Sequence, residues 1–402
     1  MSFSFGFDVS ADDLDDELSL PANLDRLELS DPTQASTSGT AVPHKEVSLN
    51  RLLESLPPLL SYTPVTVPLS TRTLQTPRSL SLLRRDLFDA RFQVLNQDED
   101  DQDEHGAKPD AKGKQKEELF IDEQTDLVKG VYEGGLKTWE CSLDLVDCLD
   151  ARGFKVDDDL AAAKVRGKSL LEVGCGTAVP SCTLFARLLN EVRQSPTESG
   201  SPSPRKTRIH LQDYNKQVLN LITLPNLLLT YAHHLASPST TPDADEDPNS
   251  QPEPGELEVT PEFLESFESL LERENIELRF FEGDWRGMME TVQASEGSEQ
   301  RGYDLVLTSE TVYSVPSLEP LLNLLEAACH TLSDGEEDDE TLCLVACKRI
   351  YFGVGGGELE FRRRVEERGG QVEAVWGEEE GNGKSNGVGR TIMSVKWRKA
   401  GK

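Results

Sequence analysis

The sequence predicts an α/β fold: a mostly parallel sheet with helices on both faces and one antiparallel strand near the C-terminus. Three observations carry that expectation. From about residue 126 onward, short apolar runs alternate with stretches of helical spacing, the pattern of βα repeats wound into a parallel sheet. The first apolar run ends in a glycine-rich turn, "EVGCGT" (172–177). The last two strand-like runs, "QVEAVWGE" and "RTIMSVKWRK", are joined by a Gly/Asn loop with no helix, so one of them runs antiparallel.

In chain order, "WECSLDLVDCLDARG" has the apolar spacing of a helix and precedes "KSLLEVGCG" (168–176), a buried strand. "SCTLFARLLNEVRQ" is the next helix and "RIHLQDY" the next strand. "KQVLNLITLPNLLLTYAHHL" is a long helical stretch interrupted at Pro225, and "PEFLESFESLLEREN" is an amphipathic helix. Strands "IELRFFEGDW" and "YDLVLTS", helix "SLEPLLNLLEAACHTL" and strand "TLCLVACK" follow, then a helix over 358–369. Polar, acidic or Pro-rich insertions near 193–207, 236–260 and 333–340 fall between elements, where extra loop length costs little entropy. They are expected to be disordered.

Over 402 residues the hydrophobic share is 36% and the mean hydropathy −0.47, both low for a single compact body. The expected organisation is therefore one domain over 126–402 preceded by an acidic, largely disordered region over 1–125. Within that region a short amphipathic helix is expected near 47–56, ended by Pro57 and Pro58. The net charge is −32, much of it in runs such as "NQDEDDQDE" and "DGEEDDE". Such runs repel nucleic acid, so direct sequence-specific binding to RNA or DNA is not expected.

The seven cysteines are odd in number and form no CxxC pair, which indicates neither a disulfide framework nor a zinc site. The six histidines show no ligand spacing, so no metal is expected. No apolar run approaches the roughly 18 to 20 residues of a membrane span, and no basic segment followed by an apolar one opens the chain. The expectation is a reduced, intracellular, soluble monomer with no membrane partner.

The chemistry begins at the glycine turn. Glycines at a βα turn let backbone amides approach a ligand, and the following helix N-terminus favours anionic groups. The third glycine of a dinucleotide fingerprint is missing after Gly174 and Gly176, and there is no GK[ST] for a phosphate loop. Glu172 two residues before the first glycine, then G-x-G-x-small, is instead the usual opening of an S-adenosylmethionine site. Asp213, ending the second strand, suits the two ribose hydroxyls. Asp284 and Trp285, ending the third, suit the adenine amino group and ring face. Each residue also has a plainer role: glycines for packing, an aspartate as a helix cap, a tryptophan in the core.

Six motifs then occur in one order: "GGLKTWECSLDL" (134–145), "EVGCGT", "LQDYN" with "TLPN" (223–226), "EGDW" (282–285), "LTSETVYS" (307–314) and "YFGVGGG" (351–357). Together they closely resemble the eukaryotic histidine protein methyltransferases, a branch of the Rossmann-like seven-strand methyltransferases. The resemblance covers about 130–400, and the opening "FSFGFD" and "VSLNRLLESLP" look like the family's N-terminal region. One departure is Ala178, where many relatives carry a third glycine.

The resemblance implies transfer of a methyl group from S-adenosylmethionine to the tele nitrogen of a histidine in a large-subunit ribosomal protein, the third in conventional numbering. Cytoplasm and nucleus are the implied compartments. By motif, Thr138, Trp139, Glu140, Cys141 and Ser142 lie over the cofactor's methionine and ribose. Gly174, Gln212, Asp213, Tyr214, Gly283, Asp284, Trp285 and Ser309 complete its pocket, with Glu172 and Gly176 in the glycine turn. Glu310 and Tyr313 stand at the acceptor, although Glu310 would also serve to cap the helix beginning near Pro316. In "YFGVGGG", Tyr351, Phe352, Gly353 and Gly355 are candidate substrate contacts, and a tight structural turn is the competing reading. Two other functions fit the same motifs: lysine methylation of a translation factor or chaperone, and a non-catalytic binder of a ribosomal protein.

Overall fold

The computed structural model describes residues 42–73, 76–86, 135–157, 163–197, 205–236, 252–294, 302–329, 340–352, 355–377 and 389–397. Its first elements are β1 (Lys45–Val47), α1 (Leu49–Glu54), and a long hairpin of β2 (Leu59–Thr73) and β3 (Thr76–Arg85). The βα repeat follows as α2 (Glu140–Ala151), β4 (Ser169–Val173), α3 (Val179–Gln194) and β5 (Thr207–Asp213). A helical turn Lys216–Val218 passes through a π-helical turn Leu219–Thr223 into α4 (Leu224–Ala236). The break expected at Pro225 thus falls as a widened turn just before it, where the missing proline N–H is accommodated. Next come β6 (Gly255–Glu258), α5 (Pro261–Arg273), β7 (Ile276–Glu282), α6 (Trp285–Ala294) and β8 (Leu305–Ser309). The chain continues with α7 (Val315–Ala328), β9 (Leu342–Lys348), α8 (Glu358–Glu367), β10 (Gln371–Gly377) and β11 (Arg390–Lys396).

The main sheet has the order β1-β7-β5-β4-β8-β9-β11-β10. Strands β7, β5, β4, β8 and β9 are parallel to one another. The antiparallel strand expected near the C-terminus is β11, which opposes both β9 and β10. The sheet has eight strands rather than seven, because β1 adds antiparallel to the outer edge of β7. A strand of three residues is too short to carry a readable period. The central strands are buried on both faces, as parallel strands between two helix layers are. Successive residues serve opposite cores: Leu170 belongs to one core with Leu145, Phe185 and Leu227, whereas Leu171 belongs to the other with Val306, Leu321 and Phe361.

The region before 126 departs from expectation. The helix near 47–56 is α1, but residues 59–85 form β2 and β3 instead of irregular chain. Together with β6, which lies in the expected 236–260 insertion, they make a second antiparallel sheet of order β3-β2-β6. Pro64 and Pro68 obscure the strand pattern of β2. They are tolerated because β6 pairs only with Leu59–Tyr62, so both prolines sit where the other edge of β2 is unpaired. Val67, Leu82, Val146 and Val179 join this small sheet to α2 and α3. Residues 1–41 and 87–125, the insertion residues 198–204, 237–251 and 330–339, and Gly353 lie outside the described residues.

Candidate active site

The glycine turn joins β4 to α3 with three left-handed residues, Gly174 (φ 62°), Gly176 (φ 50°) and Ala178 (φ 51°). It is gripped from both sides. A Cβ on Gly174 would lie 2.6 Å from Thr311 Cγ2, and one on Gly176 would lie 3.3 Å from the Gly135 carbonyl oxygen. The segment 135–139 therefore crosses the turn, and the loop after β8 abuts it.

Three side chains hold this turn together. Asp213 Oδ2 accepts from the Gly176 N–H (3.0 Å) and its Oδ1 accepts from the Asn215 N–H (3.0 Å). Gln212 is fully buried and reaches three elements. Its Oε1 accepts from the Gly174 N–H (3.2 Å) and the Trp285 indole (2.9 Å), and its Nε2 donates to the Gly283 carbonyl (2.8 Å). Glu172 points into the protein, where its Oε2 accepts from the Ser181 N–H (3.0 Å) and the Ser181 hydroxyl. Burial pushes its pKa up to about 7.

Beyond β5 the segment before β1 closes over the ends of β5 and β7. The Val42 N–H donates to the Tyr214 hydroxyl (3.1 Å), and the Asp284 N–H donates to the Val42 carbonyl (3.0 Å). Asp284 Oδ1 accepts from the Arg286 N–H (2.6 Å), so the plainer role of helix cap is present as well. Trp285 is half-buried and held edge-on by Gln212.

On the other flank the ends of β8 and β9 meet. Glu310 follows β8 with φ 57°, a strained conformation for a non-glycine residue and one that recurs at functional sites. Its Oε2 accepts from the Tyr351 hydroxyl. Its Oε1 is buried and has no hydrogen-bond partner among the described residues. Lys348 Nζ lies 3.9 Å from Glu310 Oε1 and 3.4 Å from Glu140 Oε2, and 5.3 Å above the Trp139 ring. The Tyr313 and Tyr351 rings meet edge to face at 6.3 Å. Glu310, Tyr313, Trp139, Glu140 and Tyr351 are thus brought together from three separate motifs. Glu310 does not cap α7, whose N-cap is Ser314.

Several sequence-derived candidates have other surroundings. Cys141 and Ser142 are buried in α2; Ser142 Oγ donates to the Trp139 carbonyl (2.7 Å), and burial followed by the charge of Glu310 pushes the Cys141 thiol pKa well up. Glu172 and Gln212 brace the turn from within rather than facing outward. Ser309 is half-buried at the end of β8. Phe352 is 68% exposed. Two described glycines of "YFGVGGG" pack against backbone: a Cβ on Gly356 would lie 2.2 Å from the Tyr313 carbonyl oxygen, and Gly356 and Gly357 N–H groups donate to Tyr313 and Val312 carbonyls. Gly355 pairs with Ser314. The described glycines build a tight turn, which sets Tyr351 against Glu310. Lys348 and Arg84, which donates to Thr138 Oγ1 (3.2 Å), were not found from sequence. The last residue of a parallel strand at its carboxyl edge was the signal for Lys348; nothing local marks Arg84.

These residues fit S-adenosylmethionine. The carboxylates of Asp213 and Asp284 stand at or just after the ends of β5 and β7, where they would suit ribose hydroxyls and an adenine amino group. The turn between them and Glu310 carries left-handed glycines and no lysine. Thr138 reaches that turn through its hydroxyl, which donates to Thr177 Oγ1 (3.2 Å).

No family model matches the chain. Curated relatives do. Histidine protein methyltransferase 1 of Schizosaccharomyces pombe is 32% identical over 324 residues, spanning 79% of this chain and 76% of the relative. The Saccharomyces cerevisiae protein of the same name is 32% identical over 387 residues, spanning 92% and 91%. The Bos taurus homolog is 33% identical over 248 residues, spanning 61% of this chain and 51% of that one. With two relatives matched over most of their own length, the chain belongs to the histidine protein methyltransferase family and is a methyltransferase whose cofactor is S-adenosylmethionine.

Proposed function

We propose that the enzyme methylates the tele nitrogen of a histidine in a large-subunit ribosomal protein, the third in conventional numbering, and so acts on ribosome biogenesis or translation. The names of the relatives support a histidine acceptor, and the motif resemblance supplies the ribosomal target. A net charge of −32 suits a basic partner. The reading includes action as a monomer in the cytoplasm and nucleus.

When bound, S-adenosylmethionine supplies a methyl group already activated by positive sulfur. The chain's task is to aim the acceptor lone pair at it, which is an orientation effect. Histidine, with a reference pKa of about 6.5, is mostly neutral at pH 7, so no strong base is required. What is required is the correct tautomer. Glu310 Oε1 accepts the hydrogen of the pros nitrogen and thereby leaves the tele lone pair free. Tyr351 occupies Oε2 and stops the carboxylate from rotating, and the Tyr313 ring flanks the imidazole. The observation that carries this reading is a strained glutamate beside two tyrosines whose buried Oε1 has the Lys348 ammonium at 3.9 Å but no hydrogen-bond partner among the described residues.

The test is incubation with isotopically labelled cofactor and large ribosomal subunits, followed by peptide mass spectrometry. Label on a ribosomal-protein histidine at the tele nitrogen is expected. Label on lysine, or none on any ribosomal protein, rejects the reading.

A further inference from the structure

Arg84 and Arg85 are neighbours on β3 and point to opposite sides of it. Arg85 is buried and fully engaged: its N–H donates to Asn226 Oδ1 (2.8 Å) and its Nη1 to the Leu221 carbonyl (2.8 Å). Asn226 Nδ2 donates in turn to the Thr177 carbonyl (2.8 Å), so β3 is locked in register with the glycine turn. Arg84 is half-buried on the other side. Its Nη1 donates to Thr138 Oγ1 (3.2 Å), and that hydroxyl donates to Thr177 Oγ1 (3.2 Å).

A guanidinium carries five N–H donors in a rigid fork. Among the described residues no carboxylate lies within ion-pair distance of Arg84. The acidic charge acting on it is that of Asp86, whose Oδ1 already accepts from the Thr63 hydroxyl (2.9 Å). Removing such a cation from water is costly unless an anion is there to meet it.

Strand order says which anion passes this point. The adenine and ribose acceptors are at the ends of β7 and β5, and the methyl acceptor is at the ends of β8 and β9. Strand β4 lies between β5 and β8, so the amino-acid tail of the cofactor is what remains to cross the β4 turn, beside Thr138 and Thr177. We infer that Arg84 binds the α-carboxylate of the cofactor's methionine moiety, with Thr138 orienting the guanidinium. The fork geometry of arginine matches a carboxylate. The residue comes from the small sheet, so this sheet is part of the cofactor site and not only a cover for α2.

The inference rests on the pocket being the S-adenosylmethionine site, and the experiment separates the two. Calorimetry on the full chain would compare S-adenosylmethionine with its decarboxylated analogue, which lacks only the carboxylate. The unaltered protein is expected to prefer the intact cofactor by about tenfold or more. Arg84→Met is expected to reduce that preference to within about threefold while binding the analogue as before, and Arg84→Lys to retain part of it. Thermal melting matched to the unaltered protein shows that both variants fold. Equal loss of affinity for both ligands, or an unchanged preference in Arg84→Met, would overturn the role of Arg84. Failure of the unaltered protein to bind either ligand would overturn the pocket itself.

Discussion

The Tyr351 hydroxyl donates to Glu310 Oε2 across the gap between the ends of β8 and β9. Burial, and then the charge of Glu310, raises the Tyr351 pKa well above its ordinary value, so the phenol stays a donor throughout the working pH range. That fixes one carboxylate oxygen and leaves the other, the buried Oε1, as the proposed acceptor for the imidazole hydrogen. Glu310→Gln keeps the shape but presents either an amide N–H or a weaker acceptor to the imidazole. Its kcat is expected to fall about 10²- to 10⁴-fold, with cofactor affinity within about twofold by calorimetry. An unchanged turnover would remove Glu310 from the chemistry.

Ala178 holds the left-handed position from which α3 departs (φ 51°) and is fully buried. A left-handed alanine costs roughly 1–2 kcal/mol relative to glycine, and the extra unfolded-state entropy of glycine returns roughly 0.4–1 kcal/mol of that. Ala178→Gly is therefore expected to stabilise the protein by about 0.5 kcal/mol, read as a small rise in melting temperature. Ala178→Val, β-branched in a space with no exposure, is expected to destabilise by more than about 2 kcal/mol.

The parts of this molecule that were legible in sequence are those whose signal is local. The βα repeat announces itself because strands such as "SLLEV" are buried on both faces and read as unbroken apolar runs. The glycine turn, Asp213 and Glu310 are legible because each closes such a run. Three-residue β1 and the proline-bearing β2 were hidden, since neither has an uninterrupted period of two. The division of labour inside the site was hidden too. Whether Glu172 faces a ligand or Ser181, and whether the glycines near 355 face a substrate or the Tyr313 backbone, is decided by packing between segments far apart in sequence.

Glu172 gives the fold a pH dependence with a definite sign. Its pKa in the folded protein is about 7, above the ordinary 4.5, because burial disfavours the carboxylate. Between those values the folded state holds a proton that the unfolded state has released. Stability from this group is therefore fully present below about pH 4.5 and is lost as pH rises through about 7. Glu172→Gln removes the term. The stability difference between the variant and the unaltered protein is expected to shift in favour of the variant by on the order of 3 kcal/mol between pH 4.5 and 7.5. Denaturant melts at both pH values check it, and parallel pH dependence of the two proteins contradicts it.

Gly283 is where the N-terminal segment touches the carboxyl edge of the sheet, just after β7. It has φ 95°, and a Cβ on it would lie 2.4 Å from the Pro43 carbonyl oxygen. The same short segment meets the Tyr214 hydroxyl and the Asp284 N–H, stacks His44 on Phe281 at 5.7 Å, and joins Glu46 to Arg279 at 2.6 Å. An alanine at 283 has to displace backbone, which no side-chain rotation relieves. Gly283→Ala is expected to cost about 2 kcal/mol or more in stability and to weaken cofactor binding about tenfold, by releasing the segment that braces Tyr214 and Asp284. A chain beginning after residue 47 loses the same bracing. Added to that shortened chain, the alanine no longer has Pro43 to meet, so its further effect on cofactor affinity is expected to be less than about twofold. Such non-additivity is the mark of two changes acting through one contact, and full additivity in the calorimetric cycle would show that the segment and Gly283 act independently.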